Sequence, residues 1–132
     1  MNKDELNRLS GIILDACIEV HRNLGPGLLE SVYEHCLLIE LHARGLKAEN
    51  QVVIPVYYKN EKIEIGFRAD IFVENEIIIE LKAVDIIPDI NRAQVITYLK
   101  VTGKKLGLLI NFNVKRITNG FERFINGIDD EY

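Results

Sequence analysis

Apolar residues recur at three- and four-residue spacing through Leu6, Leu9, Ile13, Ala16, Cys17, Val20 and Leu24. That stripe predicts an amphipathic helix from about Asp4 to Asn23, closed by Gly25-Pro26-Gly27. A second stripe, Val32, Cys36, Ile39 and neighbouring leucines, predicts a helix from about Leu28 to Ala43 with Gly45 as its left-handed stop. The pattern then changes period. Gln51 to Tyr58 is β-branched and aromatic, Lys59-Asn60-Glu61-Lys62 is a polar turn, and Ile63 to Val73 alternates for most of its length. Glu74-Asn75 predicts a two-residue turn into a third strand, Glu76 to Val84, whose Ile77-Ile78-Ile79 run marks a strand covered on both faces. After Ile86-Ile87-Pro88, Asp89 stands where it can cap a third helix reaching about Val101, with Gly103 ending it. Leu106 to Phe112 predicts a fourth strand, and Gly120 to Gly127 a short helical turn. The helix between the third and fourth strands is long enough for a parallel crossover. No repeat, low-complexity segment or linker interrupts this order, so the expectation is one α/β domain over residues 1–132 with a mixed sheet.

Composition narrows the class. With 132 residues and 48% hydrophobic positions, the chain can bury a core without disulfides or a structural metal. Cys17 and Cys36 lack metal-site spacing and a Cys-x-x-Cys pairing, which reads as two reduced core thiols. The apolar stretches fall far below the ~18 residues of a membrane span. The polar start, Met1-Asn2-Lys3-Asp4-Glu5-Leu6, lacks the features of a secretory signal, and the expected location is cytoplasmic. The net charge of −4 is uneven: residues 1–90 carry nine basic and 16 acidic groups, residues 91–132 seven and four. Without the tail Asp129-Asp130-Glu131, the last third opposes seven basic groups to Glu122 alone. A polyanion docking there fits that asymmetry, and so does an ordinary solvated face.

Three charged residues interrupt the apolar strands. Asp70 lies within Ala69-Asp70-Ile71-Phe72, and Glu80 and Lys82 stand two apart in the next strand, on one face. A turn centred on Glu74-Asn75 pairs residue 73 with 76 and brings Asp70 next to Glu80 within a register step. Charges in central strands are paired, liganded to a metal or at a strand end, because burying one alone costs several kcal/mol. Two carboxylates suit a hard divalent cation, which takes one or two of them with water and phosphate completing its shell. An adjacent lysine can then orient or help deprotonate the attacking water and stabilise charge on the phosphate. The same residues also fit a structural carboxylate–lysine pair on a solvent-facing strand, and on spacing alone the two readings stand level. Glu30 adds a carboxylate at the start of the second helix, and Gln94 and Tyr98, four apart, share a face of the third.

Gly66-Phe67-Arg68-Ala69-Asp70, Glu80-Leu81-Lys82 and Gln94-Val95-Ile96-Thr97-Tyr98 together resemble the G-x-x-x-D, E-x-K and Q-x-x-x-Y series of RecB-like nucleases in the PD-(D/E)xK superfamily. The segment Gly27 to Tyr33 is similar to the signature of the small GxxExxY protein family, and the likeness runs from His21 to about Phe112. It implies a restriction-endonuclease-like α-β-β-β-α-β core, with its mixed sheet flanked by helices. It further implies a metal-dependent nuclease acting on DNA, with RNA left open, in which Asp70 and Glu80 bind Mg²⁺ or Mn²⁺, Glu30 completes the acidic cluster and Lys82 assists the water. Gln94 and Tyr98 are implied to support the site or touch the nucleic-acid backbone. His21 resembles a helix histidine that ligates metal in some RecB-like enzymes, a place Glu30 fits as well; a structural or capping role is the commoner one for such a residue. Tyr33 fits a core position hydrogen-bonded through its hydroxyl as readily as a functional one. A non-catalytic nucleic-acid-binding or assembly module on the same fold is the alternative, and a purely structural α/β domain the third. So small a chain has no separate recognition module, which leaves a homodimer or a partner protein open.

Overall fold

A computed structural model describes residues 1–126. In chain order it contains α1 (Lys3–Leu24), α2 (Glu30–Ala43), β1 (Ala48–Tyr58), β2 (Glu61–Val73), β3 (Ile77–Lys82), α3 (Asp89–Thr102), β4 (Leu106–Asn111), a 3-10 turn (Ile117–Gly120) and β5 (Phe121–Ile125). The stripe read from spacing is the buried face of α1, from Leu6 to Val20. The Asn2 side chain accepts the Glu5 N–H at 2.9 Å to cap that helix, and Gly25, at φ +67°, returns its N–H to the His21 carbonyl. The second helix starts at Glu30 rather than Leu28, because Leu29 stays extended as its N-cap.

The sheet order is β1-β2-β3-β4-β5. The pairs β1/β2, β2/β3 and β4/β5 are antiparallel, while β3 and β4 run parallel through the α3 crossover. Every residue of β4 and four of the six in β3 are buried. One core joins α1 and α2 to the sheet through Leu9, Ile13, Leu37, Ile79 and Leu108, and a smaller one sets Leu99 of α3 against Ile54, Ala69 and Ile78. Helices therefore cover both faces of a mixed sheet, as the sequence implies.

Several boundaries differ from the sequence reading. The turn after β1 is Lys59-Asn60 alone, both residues at positive φ, so β2 begins at Glu61. Three residues, not two, separate β2 from β3: Val73 pairs with Ile77 and Ile71 with Ile79, and the same register sets Asp70 opposite Glu80. Asp89 does not cap α3; Pro88 holds that position, and Asp89 instead pairs with Arg92 at 3.2 Å in the first turn. The expected helical turn over 120–127 is strand β5 for residues 121–125, while Gly127 and the acidic tail Asp129-Asp130-Glu131 lie outside the described residues. Phe121 packs on the larger core and Phe124 on the smaller, an odd spacing across opposite sheet faces that suits a strand and not a helix. The fully buried β4 needs hydrogen-bonding partners on both edges, and β5 supplies the second. Cys17 is fully buried, and burial pushes its thiol well above the ordinary value; Cys36 is only half-buried. Among the described residues no helix is long and apolar enough to cross a membrane.

The feature that places the site is a divergence of strands. β2 follows β1 along most of its length but pairs with β3 only over Ile71–Val73. Beyond that point β1 and β2 continue as a two-stranded arm, bulged between Ile54 and Val56. Gly66 faces the bulge, where a Cβ would collide with the Ile54 carbonyl. The glycine of G-x-x-x-D thus answers to a close backbone approach in the arm.

Candidate active site

Where β2 leaves β3, the Asp70 side chain takes over from the backbone: its Oδ2 accepts the Leu81 N–H at 2.8 Å. Glu80 stands opposite and carries the main anomaly of the molecule. Its Oε1 is buried without a hydrogen-bond partner. Burial first, then the Asp70 charge and a hydrogen bond with Asp70, push the Glu80 carboxyl up to about 9, with Lys82 opposing and Glu30 adding to the rise. A buried carboxylate oxygen in this state is satisfied by a proton or by a cation. Lys82, on the same face of β3 and half-buried, closes no ion pair among the described residues, and its charge acts on Glu80 and Glu30 through space.

The start of α2 brings the third carboxylate. Glu30 is exposed to solvent on one side, yet its carboxyl is raised by desolvation first, with Lys82 lowering it and Asp70 and Glu34 raising it. Glu34, one turn further, is 7% exposed and accepts from Asn50 Nδ2 at 3.1 Å and Gln51 Nε2 at 2.9 Å. Gln51 Nε2 also lies 3.5 Å from Asp70 Oδ1. Sequence reasoning missed both Glu34 and Gln51. The four-residue step from Glu30 placed Glu34 on the same helix face and was the available signal; Gln51 carried none.

From the other side, α3 lays Gln94 and Tyr98 over the strands. With Asn91, Val95 and Leu109 they close a cavity of about 90 Å³ above Glu80 and Lys82. That space is large enough to admit water and lies directly over the Glu80 carboxyl with its unpartnered oxygen. Gln94 Oε1 accepts from Asn91 Nδ2 at 3.2 Å. The Tyr98 ring stacks on Phe67 of the arm with centroids 4.0 Å apart, and its hydroxyl is raised by burial and by the Glu80 and Asp70 charges. A larger groove of about 290 Å³ beside β1 contains no carboxylate.

For two candidate residues left with alternative roles, the contacts fit the structural one. Tyr33 is fully buried, so of its two roles contact with nucleic acid falls away. Its hydroxyl donates to the Gly25 carbonyl at 2.6 Å and accepts the Leu28 N–H at 3.1 Å, and its ring stacks on Phe112 at 4.6 Å. It fixes the loop that delivers Glu30. His21 Nε2 contacts the Val114 carbonyl at 2.8 Å and its ring leans on Phe112, which ties α1 to the segment after β4 and leaves it out of the acidic cluster. Tyr33→Phe is expected to lower stability by about 1–3 kcal/mol, because two backbone groups lose a buried partner. Urea unfolding measures this, and an unchanged midpoint would show that the loop holds itself.

Among the described residues no three His, Cys, Asp or Glu side chains close into a preformed metal cage. Asp70 and Glu80, with Glu30 beyond them, instead form the sparse carboxylate set that suits an ion keeping several waters. The unpartnered Glu80 oxygen fits such an ion directly.

A five-stranded mixed sheet between helices, with the acids and the lysine where the strands part, is the restriction-endonuclease-like fold. A family model described as the PD-(D/E)XK nuclease superfamily matches residues 7–124, and the chain belongs to that superfamily. Its nucleases generally use divalent metal ions and act on nucleic acids. Neither the curated proteins nor the solved structures yield a match.

Proposed function

We propose that the chain is a metal-dependent nuclease of the RecB-like, GxxExxY type that hydrolyses DNA phosphodiester bonds. Asp70 and Glu80, with Glu30, hold Mg²⁺ or Mn²⁺, and Lys82 assists the attacking water. The observation that carries this reading is the buried Glu80 oxygen without a partner, on a carboxyl raised by burial and by the Asp70 charge. When bound, the ion supplies Lewis acidity at the phosphate and a water that ionises more readily. Asp70, fixed on the Leu81 N–H, presents its carboxylate in one orientation. The Lys82 ammonium, unengaged by any ion pair among the described residues, is available to orient the water and to meet charge developing on the phosphate oxygens. Gln94 and Tyr98 line the cavity over Glu80 and Lys82, where they can meet a backbone phosphate. The exposed Lys100, Lys105, Lys115 and Arg116 provide salt-sensitive backbone attraction; Arg92 does not, being held by Glu122 at 3.0 Å and by Asp89. The intact Asp70, Glu80 and Lys82 set supports catalysis over a binding-only module. We further propose that the chain works as a single nuclease-like domain in the cytoplasm, where its free Cys17 and Cys36 thiols persist, with a second copy or a partner protein supplying specificity.

The test is incubation of supercoiled plasmid, single-stranded DNA and RNA with the purified chain in Mn²⁺, Mg²⁺ or chelator. Cutting of DNA that needs the metal is expected. Cutting of RNA alone overturns the substrate assignment, and Mn²⁺ uptake without cutting of any substrate favours the binding module.

A further inference from the structure

Two neighbouring residues of β1 reach the same carboxylate, although consecutive side chains of an extended strand point to opposite faces. Asn50 donates to one oxygen of Glu34 and Gln51 to the other, at 3.1 and 2.9 Å. The backbone reconciles them at Gln51, whose φ of +53° is left-handed, within a strand and on a residue other than glycine. Such a conformation persists only where its surroundings over-determine it. Here they do. Glu34 is buried, no cation pairs with it among the described residues, and the two amides are its hydrogen-bond donors.

The same kink serves Asp70. Gln51 lies between the ladder pairs Asn50–Ile71 and Val52–Ala69, directly across from Asp70. Its Nε2 stands 3.5 Å from Asp70 Oδ1 while bonded to Glu34. One amide nitrogen thus spans the buried acid of α2 and the acid at the divergence of β2.

We infer that Gln51 is a positioning residue of the metal site: anchored on Glu34, it steadies Asp70 Oδ1 while the Leu81 N–H holds Oδ2, so that the carboxylate keeps the orientation that faces Glu80. The inference rests on the reading of Asp70 and Glu80 as the metal pair. A neutral donor suits the task, because a lysine or arginine in its place would compete with the ion for the carboxylates. The bridge also ties α2 to β2, and Glu30, one turn before Glu34, is registered against Asp70 by the same contact. Partners that orient a metal ligand without touching the metal typically change affinity by about 10- to 100-fold when removed.

The experiment titrates Mn²⁺ into the full chain and into Gln51→Gly, Glu34→Gln and Asp70→Ala, alongside melting in chelator and cleavage as a function of Mn²⁺. Glycine takes positive φ without strain, so Gln51→Gly retains the kink while losing the amide. The buried Glu34 oxygen left without its donor is expected to lower the melting temperature, which the melting in chelator reads separately from metal affinity. The Mn²⁺ dissociation constant of Gln51→Gly is expected to rise about tenfold. The half-activating Mn²⁺ concentration should rise with it, and saturating Mn²⁺ should restore most of the cleavage rate, a signature that a merely structural role would not give. Glu34→Gln repeats the test from the other end of the bridge, with a rise in the same direction. If the unaltered chain and Gln51→Gly bind Mn²⁺ equally while Asp70→Ala does not bind, this inference alone is overturned. If the unaltered chain takes up no Mn²⁺, or Asp70→Ala binds as well as it does, the metal-pair reading falls and takes the inference with it.

Discussion

Lys82→Ala is expected to lower DNA cleavage by about two to four orders of magnitude, the range lost when a positioned proton-transfer group is removed, while the chain stays folded. Lys82 ends β3 and closes no ion pair among the described residues, so truncation breaks no structural contact. The ammonium does act at a distance, favouring ionisation of both Glu80 and Glu30. Its loss should therefore change Mn²⁺ binding in two opposed ways, since the acids hold their protons to higher pH while a cation that repels the ion is gone. The cleavage defect should survive saturation with Mn²⁺. Rates at saturating Mn²⁺ across pH separate binding from cleavage: a variant regaining full activity once the metal is bound would confine Lys82 to an electrostatic role in metal uptake. Asp70→Ala differs in kind. It removes a proposed ligand and frees the Leu81 N–H, so metal binding and cleavage are expected to disappear together.

The contrast between Lys82 and Gln51 shows what kind of information a single sequence carries. Asp70, Glu80 and Lys82 were legible because they break local rules: charges inside apolar strands need a reason wherever the chain folds. Glu30 was legible from its place at a helix start and from the resemblance that followed. The face-sharing of Gln94 and Tyr98 came from helical period alone. Gln51 breaks no such rule in sequence. Its oddity is a positive φ and a bond to a side chain 17 residues earlier, both products of tertiary structure. Strand β5 was hidden for a related reason. Its five residues read as a turn between glycines, and the demand that makes them a strand, the open edge of β4, exists only once β4 is placed. The turn at 74–76 erred by one residue, which is enough to move Asp70 from beside Glu80 to directly opposite it. His21 shows the limit from the other side: residue type and position leave ligand and structural roles both open, and the contact with the Val114 carbonyl that fits the commoner, structural one is itself a product of tertiary structure.

In metal-free buffer the chain is expected to lose stability as pH rises from about 5 to 9, and Glu80→Gln is expected to remove most of that dependence. The Glu80 carboxyl is pushed from 4.5 to about 9 in the folded protein, by burial first and by Asp70 second. Between those values the native state holds a proton that the unfolded chain has released, so each step up in pH favours unfolding. Below the window both states are protonated and the penalty is absent; above it both are ionised and the penalty is complete. One proton gives a slope of at most about 1.4 kcal/mol per pH unit, and Glu30, raised as well, adds in the same direction. Glutamine fills the same volume and cannot ionise. Every other titrating group is common to the two proteins, so the difference between their urea-unfolding profiles in chelator isolates Glu80; parallel profiles would mean that Glu80 is already ionised and satisfied in the folded chain. Saturating Mn²⁺ should reverse the trend in the unaltered protein alone, because the ion needs the carboxylate that the proton otherwise occupies, and its affinity rises with pH as that proton leaves. The same buried oxygen that is expected to weaken the metal-free protein at high pH is expected to make the metal a stabilising ligand there.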